Sequence, residues 1–148
     1  MQAVQTEATH RRERMDKVTI ERIECFRFDR ESARLLLPDS TVKDCCGILM
    51  LGSATGELGI GVFRECALKG DFIRWACAFQ GFKHHTVGEG LLEASLKHDV
   101  WGDVRSLAAE NALRELAAGR AAEPDEPLFV SLHDHAYCFE HAQAYVIF

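Results

Sequence analysis

The sequence predicts an α+β domain in which a three-stranded antiparallel meander is followed by a small helical bundle. Three observations carry that expectation. A stretch rich in β-branched and aromatic residues precedes a glycine-punctuated hairpin; the hydrophobic period then changes from two to about 3.6; and the first three strand-like segments all come before the helix-like ones. With 148 residues, 47% hydrophobic and 27% charged, the chain suits one domain whose core needs no disulfide or metal staple.

Residues 1–15 read as a polar, disordered tail, with Arg11, Arg12 and Arg14 interrupted by Glu13 and no aromatic side chains between them. Val18 to Phe28 reads as the first strand. Its apolar residues change parity between Ile20 and Ile23, which predicts a bulge or twist near Arg22. Residues 29–41 form a long connection with an apolar triplet, Leu35, Leu36 and Leu37, before Pro38, either folded back on the core or poised over a ligand. The hairpin follows, with Ile48 to Leu51 and Leu58 to Phe63 flanking a Gly/Ser/Thr/Gly turn.

Asp71 can cap a helix whose Phe72, Trp75, Ala76 and Phe79 share a face and which ends near Gly81. Leu91, Leu92, Ser95 and Leu96 define a second helix within Gly88 to His98. Asp103 can cap a third, with Val104, Leu107, Ala108, Ala112 and Leu116 inward and Gly119 near its end. Glu123 to Pro127, with two prolines and three carboxylates, reads as a linker. The expected organisation is a tail over 1–15, a folded α+β unit over 16–122, and a linker with a C-terminal extension over 123–148 that ends in a strand, Ala144 to Phe148.

The net charge of −6 argues against nucleic acid or an anionic membrane as partner, because both would repel such a chain. No secretory leader or membrane-length apolar run is visible, so a cytoplasmic location is expected. The six cysteines show no C-x-x-C pair and read as buried, reduced thiols.

Taken together, the strand Val18 to Phe28, the long loop, the hairpin with Gly56, Gly59 and Gly61, the helices, and Ala112-Leu113-Arg114-Glu115-Leu116 followed by Pro124 resemble the N-terminal capping domain of the enolase superfamily, in its mandelate racemase and muconate lactonizing branch. The resemblance covers about residues 16–127. Val62 stands where the family usually has an acid, Arg114 where it has tryptophan, and Ala118 and Gly119 replace its glycine and lysine. It implies a cap without its catalytic barrel, since such a barrel takes more than ~200 residues and carries the base and the Mg²⁺ ligands. Any Mg²⁺-dependent racemase, cycloisomerase or dehydratase chemistry would then belong to a barrel partner, with no catalytic residue or cofactor in this chain. Carried over by position, the substrate-shaping segments would be Leu35, Leu36 and Leu37, and the stretch from Arg64 and Glu65 to Leu68. The bland alternative for the leucines is loop packing on the sheet. A cap normally buries a face against its barrel, so the expected partners are a second copy of the chain or a separately encoded barrel.

One local cluster has metal-competent side chains: His133, His135, Cys138 and His141. A mixed N/S zinc site is geometrically possible there, and a small metal-binding protein or metal-dependent enzyme is the alternative reading, though the spacing matches no strong zinc signature. Cys138 beside His141, or Cys66 with a remote histidine, would act as nucleophile and base only with a depressed thiol pKa; inert buried thiols are the simpler expectation. His84-His85 reads as surface near a turn. Glu65 could face a ligand, but a glutamate at a strand end is usually solvated. Gly56, Gly59 and Gly61 echo a phosphate-binding loop but open a strand instead of a helix, so they are assigned to turning and twisting the sheet.

Overall fold

The computed structural model describes residues 9, 12–29, 31–33, 45–65, 71–119 and 134–148. Its strands are β1 (Ile20–Phe28), β2 (Cys45–Ser53), β3 (Leu58–Glu65) and β4 (Ala142–Ile147). Its helices are α1 (Phe72–Ala76), continued by a 3₁₀ segment (Cys77–Phe82), then α2 (Val87–Leu96), α3 (His98–Trp101), α4 (Asp103–Ala118) and α5 (His135–His141). The architecture is α+β with an open antiparallel sheet of four strands, order β3-β2-β1-β4. The expected three-stranded meander is present as β1-β2-β3. The fourth strand is the C-terminal apolar run, which pairs with β1 and makes it central instead of an edge.

The parity change in β1 has the predicted cause. The β1–β2 register shifts between Ile20 and Arg22, so Ile20 and then Ile23 and Cys25 all reach one face, while Glu24, Phe26 and Phe28 reach the other. The first face is covered by the helices. Leu49, Leu51, Phe63, Phe79, Phe82, Leu113 and Leu116 are buried there, and rings run tilted or edge-on from Phe63 through Trp75 and Phe79 to Trp101.

The hairpin glycines divide by role. Gly56 has φ +86° at the turn, as expected of a reversal. Gly59 and Gly61 instead admit α4: a β-carbon on Gly61 would lie 1.8 Å from the Ala108 carbonyl oxygen, and one on Gly59 2.1 Å from that of Ala112. These two glycines serve close helix–sheet approach more than twist, because α4 rests its backbone directly on β3.

Helix boundaries follow local chemistry. Asp71 caps α1 by accepting from Arg74 N–H, as expected. At α2, Thr86 and Glu89 form a reciprocal capping box. Asp103 is the first residue of α4 and not its cap; that position is Gly102, at φ +83°. Gly119 ends α4 in the left-handed conformation. Arg14, assigned to the polar tail by composition, donates from Nε to the Ala117 carbonyl (2.7 Å) and pairs with Glu57, holding a helical turn at 12–17 against the end of α4.

The apolar faces of α2 and α4 differ from expectation. Val87, Gly90 and Ala94 are the buried residues of α2, whereas Leu92 and Leu96 point to water; on α4, Leu107 is exposed and Ala108, Ala109, Ala112, Leu113 and Leu116 are buried. Small residues win the inward positions because the helices lie close to their neighbours, with Gly90 fitting against the Leu113 side chain.

Candidate functional site: a buried carboxylate beneath the last helix

The second face of the sheet carries Phe26, Phe28, Cys46, Ile48, Met50 and Ile60 around a polar centre, Glu24. Glu24 lies on the central strand at the same parity as Phe26 and is 1% exposed. An acidic residue in that position must find donors, because a buried carboxylate without them is strongly disfavoured.

Three side chains meet its Oε1. Arg22, two residues earlier and therefore on the same face, donates from Nη2 at 2.9 Å. Tyr145 sits opposite Phe26 on β4, diagonal to Glu24, and its hydroxyl donates at 2.6 Å. His135, the first residue of α5, brings Nε2 to 2.6 Å. Asp134 starts that helix by accepting from Tyr137 N–H at 3.2 Å, which fixes where the imidazole falls. Phe26, Tyr145, His135 and Phe139 enclose the cluster, with ring centroids 4.9 Å apart for Phe26–Tyr145 and 5.0 Å for Phe139–Tyr145. Glu24 Oε2 is buried and has no hydrogen-bond partner among the described residues.

Burial, followed by the hydrogen bond to Glu24 and that group's charge, pushes the Tyr145 hydroxyl up to about 12, so it stays a donor. A carboxylate acceptor calls for a proton on His135 Nε2, and the ring that carries it is partly exposed. This is a carboxylate-oriented imidazole. It has no activated thiol beside it: Cys138, one turn along α5, is buried, and burial together with Asp134 and Glu24 raises its thiol to about 12. Cys25 is likewise raised by burial.

The three described members of the candidate metal set have separate partners. His135 is committed to Glu24, Cys138 faces the second core, and the His141 ring packs on Tyr137 at 4.3 Å. His133 lies outside the described residues. Among the described residues no group of three or more His, Cys, Asp or Glu side chains is placed to hold a metal ion.

Leu35, Leu36 and Leu37 also lie outside the described residues. Arg64 is exposed near the end of β3, opposite Cys46, and Glu65 pairs by backbone register with Cys45. Phe28 pairs with that same Cys46, so the chain leaves β1 and β3 at one end of the sheet, on either side of β2. His84, at φ +69°, is exposed and bonds Glu21 at 3.0 Å.

A cleft of about 390 Å³ lies elsewhere, between the 12–17 turn and the β2–β3 turn. Several of its polar walls bond to one another, through Arg14–Glu57, Ser53–Thr55 and Thr55–Glu57. Comparison with known protein families, curated proteins and solved structures finds no match to this chain.

Sequence reasoning missed Glu24, Arg22 and Tyr145. The available signal was a glutamate embedded in Ile20-Glu21-Arg22-Ile23-Glu24-Cys25-Phe26 at the parity of Phe26 and Phe28, which marks an inward-facing acid.

Proposed function

We propose that this chain is a cap-type α+β domain, similar to the enolase-superfamily N-terminal domain, that acts by association with a second copy or a separately encoded barrel and helps to shape a substrate pocket, with no catalysis of its own. The observation that carries this reading is an apolar stripe on the water side of the helical layer. Leu92, Leu96 and Val100 are 61%, 76% and 79% exposed. They recur every four residues along α2 and α3, which the Lys97 N–H to Glu93 and Trp101 N–H to Lys97 bonds join into one nearly continuous helical run. A partner that buried them would gain roughly 1.5–3 kcal/mol for each side chain fully covered.

The topology supports the same reading. In a cap, the loop after the first strand and the segment after the hairpin converge on a ligand; here β1 and β3 release those segments at the same end of the sheet. Sedimentation velocity at micromolar concentrations tests the proposal. The chain is expected to sediment as an oligomer or with a co-purifying partner, and Leu96→Glu combined with Val100→Glu is expected to weaken association by at least about tenfold. A monomeric chain with no co-purifying partner overturns it.

A further inference from the structure

We propose that the outer edge of β4 is a pairing edge on which a second copy of this chain lays its own β4 antiparallel, continuing the sheet across a two-fold axis. This rests on the reading of the chain as an associating domain and names its partner.

Among the described residues β4 is an edge strand, paired on one side with β1. The Phe148 N–H donates inward to the Ile23 carbonyl at 2.9 Å. Backbone groups of an antiparallel strand alternate in direction, so Val146 also faces β1, whereas Tyr145 and Ile147 aim both N–H and C=O away from it. Edges of this kind are usually blunted by charge, proline or an outward bulge. Residues 142–148 contain no charged side chain and no proline, and the one register irregularity of the β1–β4 ladder falls at Arg27/Phe28, away from Tyr145 and Ile147. Beside this edge, Ile147 is 51% exposed, and exposed Phe139 stands edge-on to Tyr145. The opposite edge strand differs: β3 ends in Arg64 and Glu65 and has α4 pressed onto its glycines.

A second copy fits this edge better than an unrelated strand for two reasons. An antiparallel edge is complementary to itself under two-fold rotation, donor for acceptor. In a chain of net charge −6, an uncharged strand is also a place where two copies meet without like charges across the ladder. An axis beside Val146 sets Tyr145 opposite Ile147 of the second copy, which forms two outward-facing hydrogen-bonded pairs and shields both Ile147 side chains.

Hydrogen exchange of backbone amides, read alongside sedimentation, tests this. In the wild-type chain the Tyr145 and Ile147 amides are expected to exchange at least about tenfold more slowly at high than at low protein concentration. Ile147→Pro removes one outward donor and leaves the β1 ladder donors in place; with an unchanged circular dichroism spectrum it is expected to form an assembly with half as many copies as the wild type. An assembly that Ile147→Pro leaves unchanged in size, or one in which the two amides stay unprotected, overturns the β4 edge while leaving the association reading standing. Loss of the assembly in Leu96→Glu/Val100→Glu without any concentration-dependent protection at Tyr145 and Ile147 also overturns the edge, in favour of the helical stripe. A wild-type chain that is monomeric throughout and has no co-purifying partner overturns both. Should Ile147→Pro fail to fold, the wild-type exchange data decide alone.

Discussion

The two faces of the sheet are built on different principles. The helical face is closed by shape: aromatic rings interlock from Phe63 to Trp101, and the missing side chains of Gly59 and Gly61 let α4 settle onto β3. The other face is closed around a charge, with Glu24 held by donors from β1, β4 and α5. Burial on the first face is non-directional and tolerates no added volume. Stability on the second depends on matched donors and therefore on pH.

The largest test strikes the helical face. Gly61→Val puts a β-carbon into the Ala108 carbonyl, a backbone atom that cannot rotate away. The expected loss is more than about 3 kcal/mol, or failure to fold, read from the denaturant midpoint. An unchanged midpoint would mean that α4 and β3 lie further apart than described.

A smaller effect is expected on the other face. Tyr145→Phe removes one donor from Glu24 and should cost about 1–2 kcal/mol at neutral pH. The folded state raises the Tyr145 pKa from 10.0 to about 12, so the associated stability is complete below pH 10 and fades as pH climbs through 12. Midpoints measured on either side of that window should therefore converge for wild type and Tyr145→Phe at the alkaline end; a constant gap would detach Tyr145 from Glu24.

The smallest perturbation is chemical. Cys138 is raised from 9.0 to about 12, and its contribution is likewise present below pH 9 and lost on the way to 12. At pH 8 a thiol reagent should modify Cys138 at least about 100-fold more slowly than exposed Cys77, as mass spectrometry of labelled peptides would show. Equal rates would mean that α5 does not stay closed over the second face.

How far each face can be read from sequence follows from the same contrast. The helical face is written in local patterns: the alternation of β1 with its break near Arg22, the turn at Gly56, the cap at Asp71 and the left-handed Gly119 all lie within a few residues of what they determine. What escaped there was depth. Leu92, Leu96 and Leu107 carry the hydrophobicity of inward residues, yet glycine and alanine take the inner positions because close approach of backbones favours the smallest side chains. The second face has one local sign, a glutamate at the parity of Phe26 and Phe28, and none for that acid's partners. Glu24, His135 and Tyr145 are brought together by the pairing of β1 with β4, a long-range choice that periodicity does not encode. His135, Cys138 and His141 are neighbours in sequence, yet α5 and its packing give the three separate partners, which spacing alone does not encode.

The Glu24 cluster also acts as an alignment gauge. Side chains on a strand alternate between faces, so sliding β4 by a single residue along β1 would carry the Tyr145 hydroxyl to the helical side and bring Val146 or Ala144 toward the carboxylate. An apolar cluster would accept such a slip with modest loss, since one aliphatic group resembles another. A buried acid does not, because every misaligned pairing strips it of a donor that no neighbour can replace. One glutamate on the central strand thus distinguishes the correct pairing of two segments separated by most of the chain from its nearest competitors.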